Sequence, residues 1–238
     1  MRYISAVKRY RETFRNWGRV ALARALNADR IRVVTRAGKE FVVDLRTAMS
    51  MASFHHALSQ HFEGVDVEPE RVSFVYKDRR VVFYGYRHGN IVEAFNDYLW
   101  LTASGRRVLD VGASIGDTAV AFALRGAKRV VAVEPYPFVF DYAKKNIEAN
   151  GLSNVELVNA AVGEKDGTIK LSTEPTFSGT SLKESADGVE VPVYSLDSLI
   201  ARYGSFDVLK IDCEGCEYNA VLNSERIAGI QELQIEYH

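Results

Sequence analysis

The chain has 238 residues, of which 47% are apolar and 26% charged, and its formal net charge is −1. This is an ordinary globular composition, long enough for one large α/β domain with an appendage. No apolar run approaches the ~18 residues of a membrane-spanning helix. Two cysteines cannot form a disulfide framework and the start shows no secretory pattern, so the sequence predicts a soluble, cytoplasmic protein.

Positive charge is concentrated at the start of the chain, where residues 1–30 contain eight Lys or Arg residues against Glu12 and Asp29. Apolar residues recur there at intervals of four and three, which predicts a basic amphipathic helix. Its aromatic-rich face consists of Tyr3, Val7, Tyr10, Phe14, Trp17 and Ala21. Such stripes are usually buried, so packing on the protein itself or on a second subunit of a homo-oligomer is favoured. The alternatives are peripheral membrane contact through residues 1–26 and binding of an anionic substrate.

The rest of residues 1–103 mixes short strands with helices. Alternating apolar residues predict β-hairpins at 31–46, turning at Ala37-Gly38, and at 71–86, turning at 77–80. Helices are predicted over 49–62 and 90–102. We therefore expect residues 1–103 to form an α+β cap that supplies substrate or subunit contacts to a domain formed by residues 104–238.

The predicted helix 49–62 carries three of the five histidines, His55, His56 and His61. No pair has the i,i+4 spacing of an HExxH site, and no carboxylate precedes His61 within the turn. No metal site is therefore predicted.

Residues 107–134 contain the most informative pattern of the chain. Two apolar runs, 108–111 and 130–133, have the character of strands covered on both faces, and a helix lies between them. The first strand leads into Gly112-Ala113-Ser114-Ile115-Gly116, where glycine permits a sharp turn and a close approach of ligand to backbone. This order predicts the first half of a doubly wound, mostly parallel sheet of the Rossmann-like kind.

The turn differs from the GxGxxG dinucleotide fingerprint in two ways. The middle glycine is replaced, and the helix opens with Asp117, whose carboxylate would repel a diphosphate while suiting the positive helix end. Asp110, just before the turn, is expected to add a second negative charge at its mouth. The expected ligand is therefore cationic or neutral at this point, as are the sulfonium and ammonium groups of S-adenosylmethionine.

Acidic and small residues follow the next two strands. Glu134 ends the second strand, 22 residues after Gly112, where a carboxylate would accept hydrogen bonds from both hydroxyls of an unphosphorylated ribose; Pro135 stops that strand. The third strand, 155–162, ends in Ala160 and Ala161, which would leave room for an adenine ring and would equally suit tight packing.

The second half of the domain continues the alternation. Strands are predicted at 189–194 and 207–212, and the Ser/Thr/Gly-rich segment 167–189 is expected to be a mobile insertion over the active face. Residues 230–238 have the pattern of a fifth core strand. We expect the chain either to be truncated or to leave this strand at an exposed edge, which invites pairing with another chain.

Four motifs, LDVGASIG, EP, SLDSL and LKIDCEGCE, occur in this order and resemble the FkbM-type family of class I S-adenosylmethionine-dependent methyltransferases. The resemblance covers roughly residues 85–238. It implies S-adenosylmethionine as cofactor and methyl transfer to a hydroxyl oxygen, often on a sugar, a glycan or a natural product, with no nucleic-acid partner. The cofactor-binding residues expected from the turn and the strand ends are Asp110, Gly112, Ala113, Gly116, Asp117, Glu134, Pro135, Ala160 and Ala161.

A carboxylate that removes the hydroxyl proton would assist such a reaction, and the candidates are Asp212 first and Glu214 second. Asp212 should emerge opposite Gly112, because the fourth strand lies beside the first in this topology. Both residues could instead be structural, and acidic residues at 212, 214 and 217 could hold Mg²⁺, although their spacing does not demand it.

Cys213 and Cys216 form a Cys-x-x-Cys at a helix start, which is also a thioredoxin-like signature. A dithiol oxidoreductase is therefore the rival function, disfavoured because flanking acidic residues oppose a thiolate. Two cysteines without further ligands do not make a zinc site, and they are interpreted as incidental small residues. A non-catalytic nucleotide-binding module is a third possibility, but it gives no role to Asp212 and Glu214.

Overall fold

The computed structural model describes residues 2–172, 185, 187–213 and 215–236. The chain forms two compact units, Met1–Arg87 and His88–His238. No helix in the described ranges combines the length and the apolar character that crossing a membrane requires.

The first unit contains three helices and two small antiparallel sheets. Its elements are α1 (Arg2–Thr13), α2 (Trp17–Ala25), β1 (Arg30–Val34), β2 (Glu40–Asp44), α3 (Leu45–Ser59), β3 (Glu63–Val67), β4 (Arg71–Tyr76) and β5 (Arg79–Tyr84). Strand β1 pairs with β2, and β4 lies between β3 and β5. Both hairpins expected from the alternation are present. Lys77 and Asp78 have positive φ angles in the second turn, as a two-residue hairpin connection requires.

The N-terminal segment is not one helix, which corrects the expectation of a single amphipathic helix. It breaks between α1 and α2, where Phe14 forms a β-bridge with Thr35 and the Asn16 side chain accepts from Val34 N at 2.9 Å. Tyr10 and Phe14 are buried, as a packed stripe requires, but Trp17 beyond the break is 38% exposed.

The second unit alternates strands and helices. Its elements are α4 (Ile91–Asn96), β6 (Arg107–Val111), α5 (Asp117–Leu124), β7 (Arg129–Val133), α6 (Pro137–Ala149), β8 (Val155–Val158), β9 (Ala161–Val162), β10 (Gly167–Leu171), β11 (Val189–Tyr194), α7 (Leu196–Tyr203), β12 (Val208–Ile211), α8 (Glu217–Leu222) and β13 (Glu232–Ile235). The predicted helix 90–102 is shorter than expected, since α4 ends at Asn96, and α4 lies in the compact unit that begins at His88.

Five parallel strands form the core sheet in the order β13-β12-β6-β7-β8. Strand β12 pairs with β6, which confirms the predicted neighbours and brings Asp212 and Gly112 to the same edge of the sheet. The chain thus has the class I, Rossmann-like α/β fold. Among the described residues β13 pairs on one side only, so it is an edge of this sheet.

The predicted third strand is divided in two. Strand β8 stays in the core sheet, whereas β9 turns away after Asn159 and pairs with β11. Strand β11 in turn pairs antiparallel with β10, giving a separate three-stranded sheet. Part of the expected mobile insertion, residues 173–184 and 186, lies outside the described residues.

Candidate active site

The glycine turn connects β6 to α5, and its shape follows from the surrounding backbone. Gly112 and Gly116 have φ angles of +76° and +80°, which favour glycine. A Cβ on Gly112 would lie 1.7 Å from the carbonyl oxygen of Asp212, and one on Gly116 would lie 3.2 Å from Ala143 Cα. Both glycines are therefore needed for packing inside the domain, independently of any ligand. Ala113, between them, is buried and donates its N–H to Val133 O.

Glu134 lies at the carboxyl end of β7, where it faces the turn. Its Oε2 accepts from Ser114 N and its Oε1 from Tyr136 N, both at 2.9 Å. The residue is only 6% exposed, and this burial raises the pKa of Glu134 to about 7 against the lowering effect of the two amides. The carboxylate is thus fixed in orientation, and each of its oxygens retains lone-pair capacity for a second hydrogen bond.

The residues that follow β8 lie beside Glu134 and Pro135. Asn159 donates from Nδ2 to the carbonyl oxygens of Glu134 and Pro135, at 2.8 and 3.0 Å. Ala160 and Ala161 are completely buried, Ala160 within the hydrophobic core. Packing accounts for the two alanines in the structure, and their contact with adenine stays a prediction.

Asp117 begins α5 and is buried close to the turn. Its Oδ2 accepts from Asn90 N at 2.8 Å, and burial raises the pKa of Asp117 to about 6. The carboxylate therefore tethers the segment before α4 to the start of α5 and adds negative charge to the site.

Asp110 does not line the mouth of the turn. It is fully buried in β6, where Oδ2 accepts from the Thr118 hydroxyl at 2.6 Å and Oδ1 lies 3.4 Å from the ammonium of Lys210. Burial raises the pKa of Asp110, whereas Lys210 and Thr118 oppose that rise. Lys210 was missed at the level of sequence. A lysine inside the apolar run VLKI, in a strand expected to be covered on both faces, was the available signal.

Asp212 lies at the carboxyl end of β12 with a side chain that is 23% exposed, 3.6 Å from Lys210. One oxygen from each of Asp212, Glu93 and Glu236 lies within 4.8 Å of the others. The Tyr98 hydroxyl is 3.1 Å from both glutamates, and burial together with the charge of Glu236 raises the pKa of Glu93. The site around the candidate base is therefore strongly acidic and holds at least one group that retains a proton easily.

The loop after Asp212 contains the two cysteines. Cys213 and Cys216 are joined by a disulfide, which corrects their interpretation as incidental small residues. Glu217 accepts from the backbone N–H groups of Cys213 and Gly215, both at 2.9 Å, so it shapes the loop. Glu214, the second candidate base, lies outside the described residues.

A model of the FkbM methyltransferase domain matches residues 110–238, which are more than half of the chain and contain the glycine turn, Glu134 and Asp212. The chain belongs to the FkbM methyltransferase family. It is 33% identical over 95 residues to an uncharacterized protein of Methanocaldococcus jannaschii, covering 40% of this chain and 35% of that protein.

Solved structures with a similar fold include the FkbM methyltransferase of Methylobacillus flagellatus, with 20% identity, a TM-score of 0.43 and coverage of 59% of this chain and 34% of that one. Another is TYW2 of M. jannaschii in complex with AdoMet, with 23% identity, a TM-score of 0.29 and coverage of 40% and 42%. The chain spans about a third of the length of the curated relative and of the solved FkbM methyltransferase.

Family membership makes S-adenosylmethionine the cofactor of this FkbM domain. The residues around the turn fit it, because the carboxylates of Asp117, Glu134 and Asp212 lie there, and the ammonium of Lys210 already has Asp110 as a counterion in the core. Such an environment suits the positive sulfonium and ammonium groups and disfavours a diphosphate.

Proposed function

We propose that this FkbM domain transfers a methyl group to a hydroxyl oxygen of a sugar, a glycan or a natural product, with Asp212 as the general base. The observation that carries the proposal is the position of Asp212. Its partly exposed carboxylate emerges from β12 directly beside the Gly112 turn, at the edge of the sheet where doubly wound folds bind ligands.

S-adenosylmethionine supplies an electrophilic methyl group on a positive sulfur, and the protein's residues are assigned roles around it. Glu134 would accept hydrogen bonds from the two ribose hydroxyls, since its carboxylate is already oriented by Ser114 and Tyr136. The turn from Gly112 to Gly116, Asp117, Pro135 and the alanines at 160 and 161 would complete the cofactor site. Holding the acceptor oxygen in line accounts for most of the acceleration expected.

The acidic surroundings of Asp212 support a neutral, hydroxylated acceptor. Glu93 and Glu236 lie beside Asp212, so an acceptor with a phosphate or carboxylate next to the reacting oxygen would meet like charge. A hydroxyl group can donate to Asp212 and transfer its proton as the methyl group arrives. We include no metal ion, nucleic acid or further cofactor in this proposal.

The test begins with S-adenosylmethionine bound to the protein under native mass spectrometry. A set of hydroxylated acceptors, neutral and phosphorylated, is then screened for a mass gain of one methylene. Methylation confined to neutral hydroxyl compounds supports the proposal, whereas transfer to a nitrogen, a carbon or a phosphorylated acceptor would refute the assigned acceptor class.

The disulfide favours dithiol oxidoreduction as a second candidate function, because a Cys-x-x-Cys pair that can close is the chemical requirement for it. The Cys213→Ser/Cys216→Ser variant separates the two candidates. Methyl transfer that persists in this variant excludes a role of the cysteines in methyl transfer, and thiol–disulfide exchange by the wild type that the variant lacks would support the second candidate.

For the first unit and for assembly we propose three further properties. Residues 1–103 would supply acceptor or subunit contacts in a cytoplasmic homo-oligomer, for which the open edge of β13 offers a pairing surface.

Trp17, Leu22 and Leu26 are exposed in a segment rich in arginine, which supports peripheral contact with an anionic membrane. Light scattering tests the assembly, and sedimentation with phosphatidylserine vesicles against neutral vesicles tests the membrane contact.

A further inference from the structure

Lys210 is a charged residue in the middle of a buried strand. Strand β12 reads Val-Leu-Lys-Ile, and all four residues are buried, Lys210 to 1% exposure. An ammonium is costly in such a position unless it is fully paired. A lysine at this position therefore needs charged or polar partners, and its presence there needs a structural or functional explanation.

The contacts of Lys210 converge on the end of β6 and on Asp212. Nζ donates to the carbonyl oxygen of Gly112 at 2.9 Å and lies 3.5 Å from that of Val111. It also lies 3.4 Å from Asp110 Oδ1 and 3.6 Å from Asp212 Oδ2. The ring of Tyr98 closes the site, with its centroid 5.7 Å from Nζ.

The ammonium keeps its charge in this environment. Burial by itself would lower the pKa of Lys210, but the carboxylates of Asp110, Asp212 and Asp117 outweigh burial, so its pKa is raised. A charged donor to a backbone carbonyl makes a stronger hydrogen bond than a neutral one. The peptide after Gly112 is therefore held in one orientation by a group that also contacts the candidate base.

We propose that Lys210 is a positioning residue for methyl transfer, which fixes the Gly112 turn and the Asp212 carboxylate relative to each other across β6 and β12. The simpler explanation is that Lys210 only neutralises Asp110 in the core. The two explanations differ in what happens when Asp110 and Lys210 are replaced together by uncharged residues. A core charge pair can often be removed in this way without loss of stability, but the bond to Gly112 would be lost as well.

The inference rests on the proposed function only in that the Gly112 turn is taken as part of the cofactor site. The experiment therefore measures binding of S-adenosylhomocysteine by calorimetry and thermal unfolding, and needs no acceptor. The test variant is Lys210→Met/Asp110→Asn. Its partner, Lys210→Gln/Asp110→Asn, retains an N–H donor in place of the ammonium, and Lys128→Met removes an exposed lysine as the matched control.

We expect the methionine variant to melt close to the wild type and to bind S-adenosylhomocysteine about tenfold or more weakly. A turn that holds its binding conformation for about a tenth of the time loses about tenfold in apparent affinity. The glutamine variant should bind S-adenosylhomocysteine at least about threefold more tightly than the methionine variant, and Lys128→Met should bind it as the wild type does.

A folded methionine variant with wild-type affinity would overturn the positioning role. If the methionine variant does not fold, Lys210→Leu/Asp110→Asn takes its place, because leucine also lacks a donor. Binding at least about threefold weaker than that of the glutamine variant supports the role of the donor, and a smaller difference between the two variants overturns it. Failure of the wild type itself to bind S-adenosylhomocysteine would contradict the assigned cofactor site, which distinguishes that failure from failure of the inference.

Discussion

Replacing Glu134 by glutamine is the most direct test of the cofactor site. Glutamine keeps the size of the side chain and one carbonyl oxygen, but it removes the charge and one of the two acceptor oxygens. We expect Glu134→Gln to weaken the binding of S-adenosylhomocysteine while the protein remains folded. Glu148→Gln, on the exposed side of α6, is the matched control.

The magnitude follows from the hydrogen bonds of the carboxylate. Each Glu134 oxygen accepts one backbone N–H at 2.9 Å, so one further bond per oxygen is available to a ribose hydroxyl. A hydrogen bond to a charged group contributes roughly 1.5–3 kcal/mol. Because water replaces part of the loss at the edge of a cleft and glutamine still accepts one bond, we expect about 1.5–3 kcal/mol, or a ~10- to ~150-fold weaker Kd.

The pH dependence gives a signature that a loss of packing would not. The pKa of Glu134 is raised to about 7, and bonds from two hydroxyls favour the ionised form. Wild-type affinity should therefore increase as pH rises towards about 7 and level off above it. Binding below pH 7 should release protons, which calorimetry detects in buffers of different ionisation enthalpy. Glu134→Gln should show neither effect.

Equal affinities of wild type and Glu134→Gln at pH 8, with both proteins folded by their melting curves, would refute this reasoning. Glu134 would then serve only to orient the amides of Ser114 and Tyr136, and the ribose would lie elsewhere. Weak binding in the Glu148→Gln control as well would instead indicate a nonspecific effect on the domain.

The remaining predictions concern the base, the turn and stability. Asp212→Asn should lower kcat about 10²- to 10⁴-fold and leave the Kd of S-adenosylhomocysteine within about threefold, measured once an acceptor is known; an unchanged kcat would exclude Asp212 as the base. Gly112→Ala should prevent folding or lower the melting temperature sharply, because its Cβ would lie 1.7 Å from Asp212 O, whereas Gly167→Ala, with nothing within 4 Å, should melt as the wild type does. The pKa of Asp117 is raised to about 6 and that of Glu134 to about 7, so the folded state binds these two protons more tightly than the unfolded state does. The two protonated carboxyl groups therefore stabilise the fold below pH ~4, and this stabilisation is lost as pH rises through 6 and 7. The wild type should therefore lose more stability between pH 5 and pH 8 than Glu134→Gln does in denaturant titrations, and equal losses would contradict the assigned burial.

The core of the second unit could be predicted from sequence because its strongest signals are local. Apolar strands, a glycine turn and strand-end carboxylates occur at fixed intervals, and the chirality of parallel crossovers leaves few arrangements for them. The position of Asp212 beside Gly112 followed from topology alone, and the register of β12 with β6 confirms it.

Other features depended on contacts that sequence spacing does not show. Asp110 was expected at the mouth of the turn but points into the core, because Lys210, 100 residues later, provides its counterion. Glu93 and Glu236 reach Asp212 from elements that have no motif. The break after α1 depends on Asn16 bonding to β1, a long-range contact that the helical periodicity of residues 3–21 does not reveal.

The pairing of Asp110 with Lys210 also constrains how this domain can diverge. Changing Lys210 alone leaves Asp110 buried without a counterion, and changing Asp110 alone leaves Lys210 with the more exposed Asp212. Breaking a buried pair in this way costs about 3–5 kcal/mol, which is a large part of the stability of a typical domain. Sequences that pass through such a single change would be removed by selection, so the two positions should change together or not at all. In an alignment of relatives, a neutral residue at position 110 should accompany a neutral residue at position 210. The two positions should therefore covary although they lie far apart in the chain.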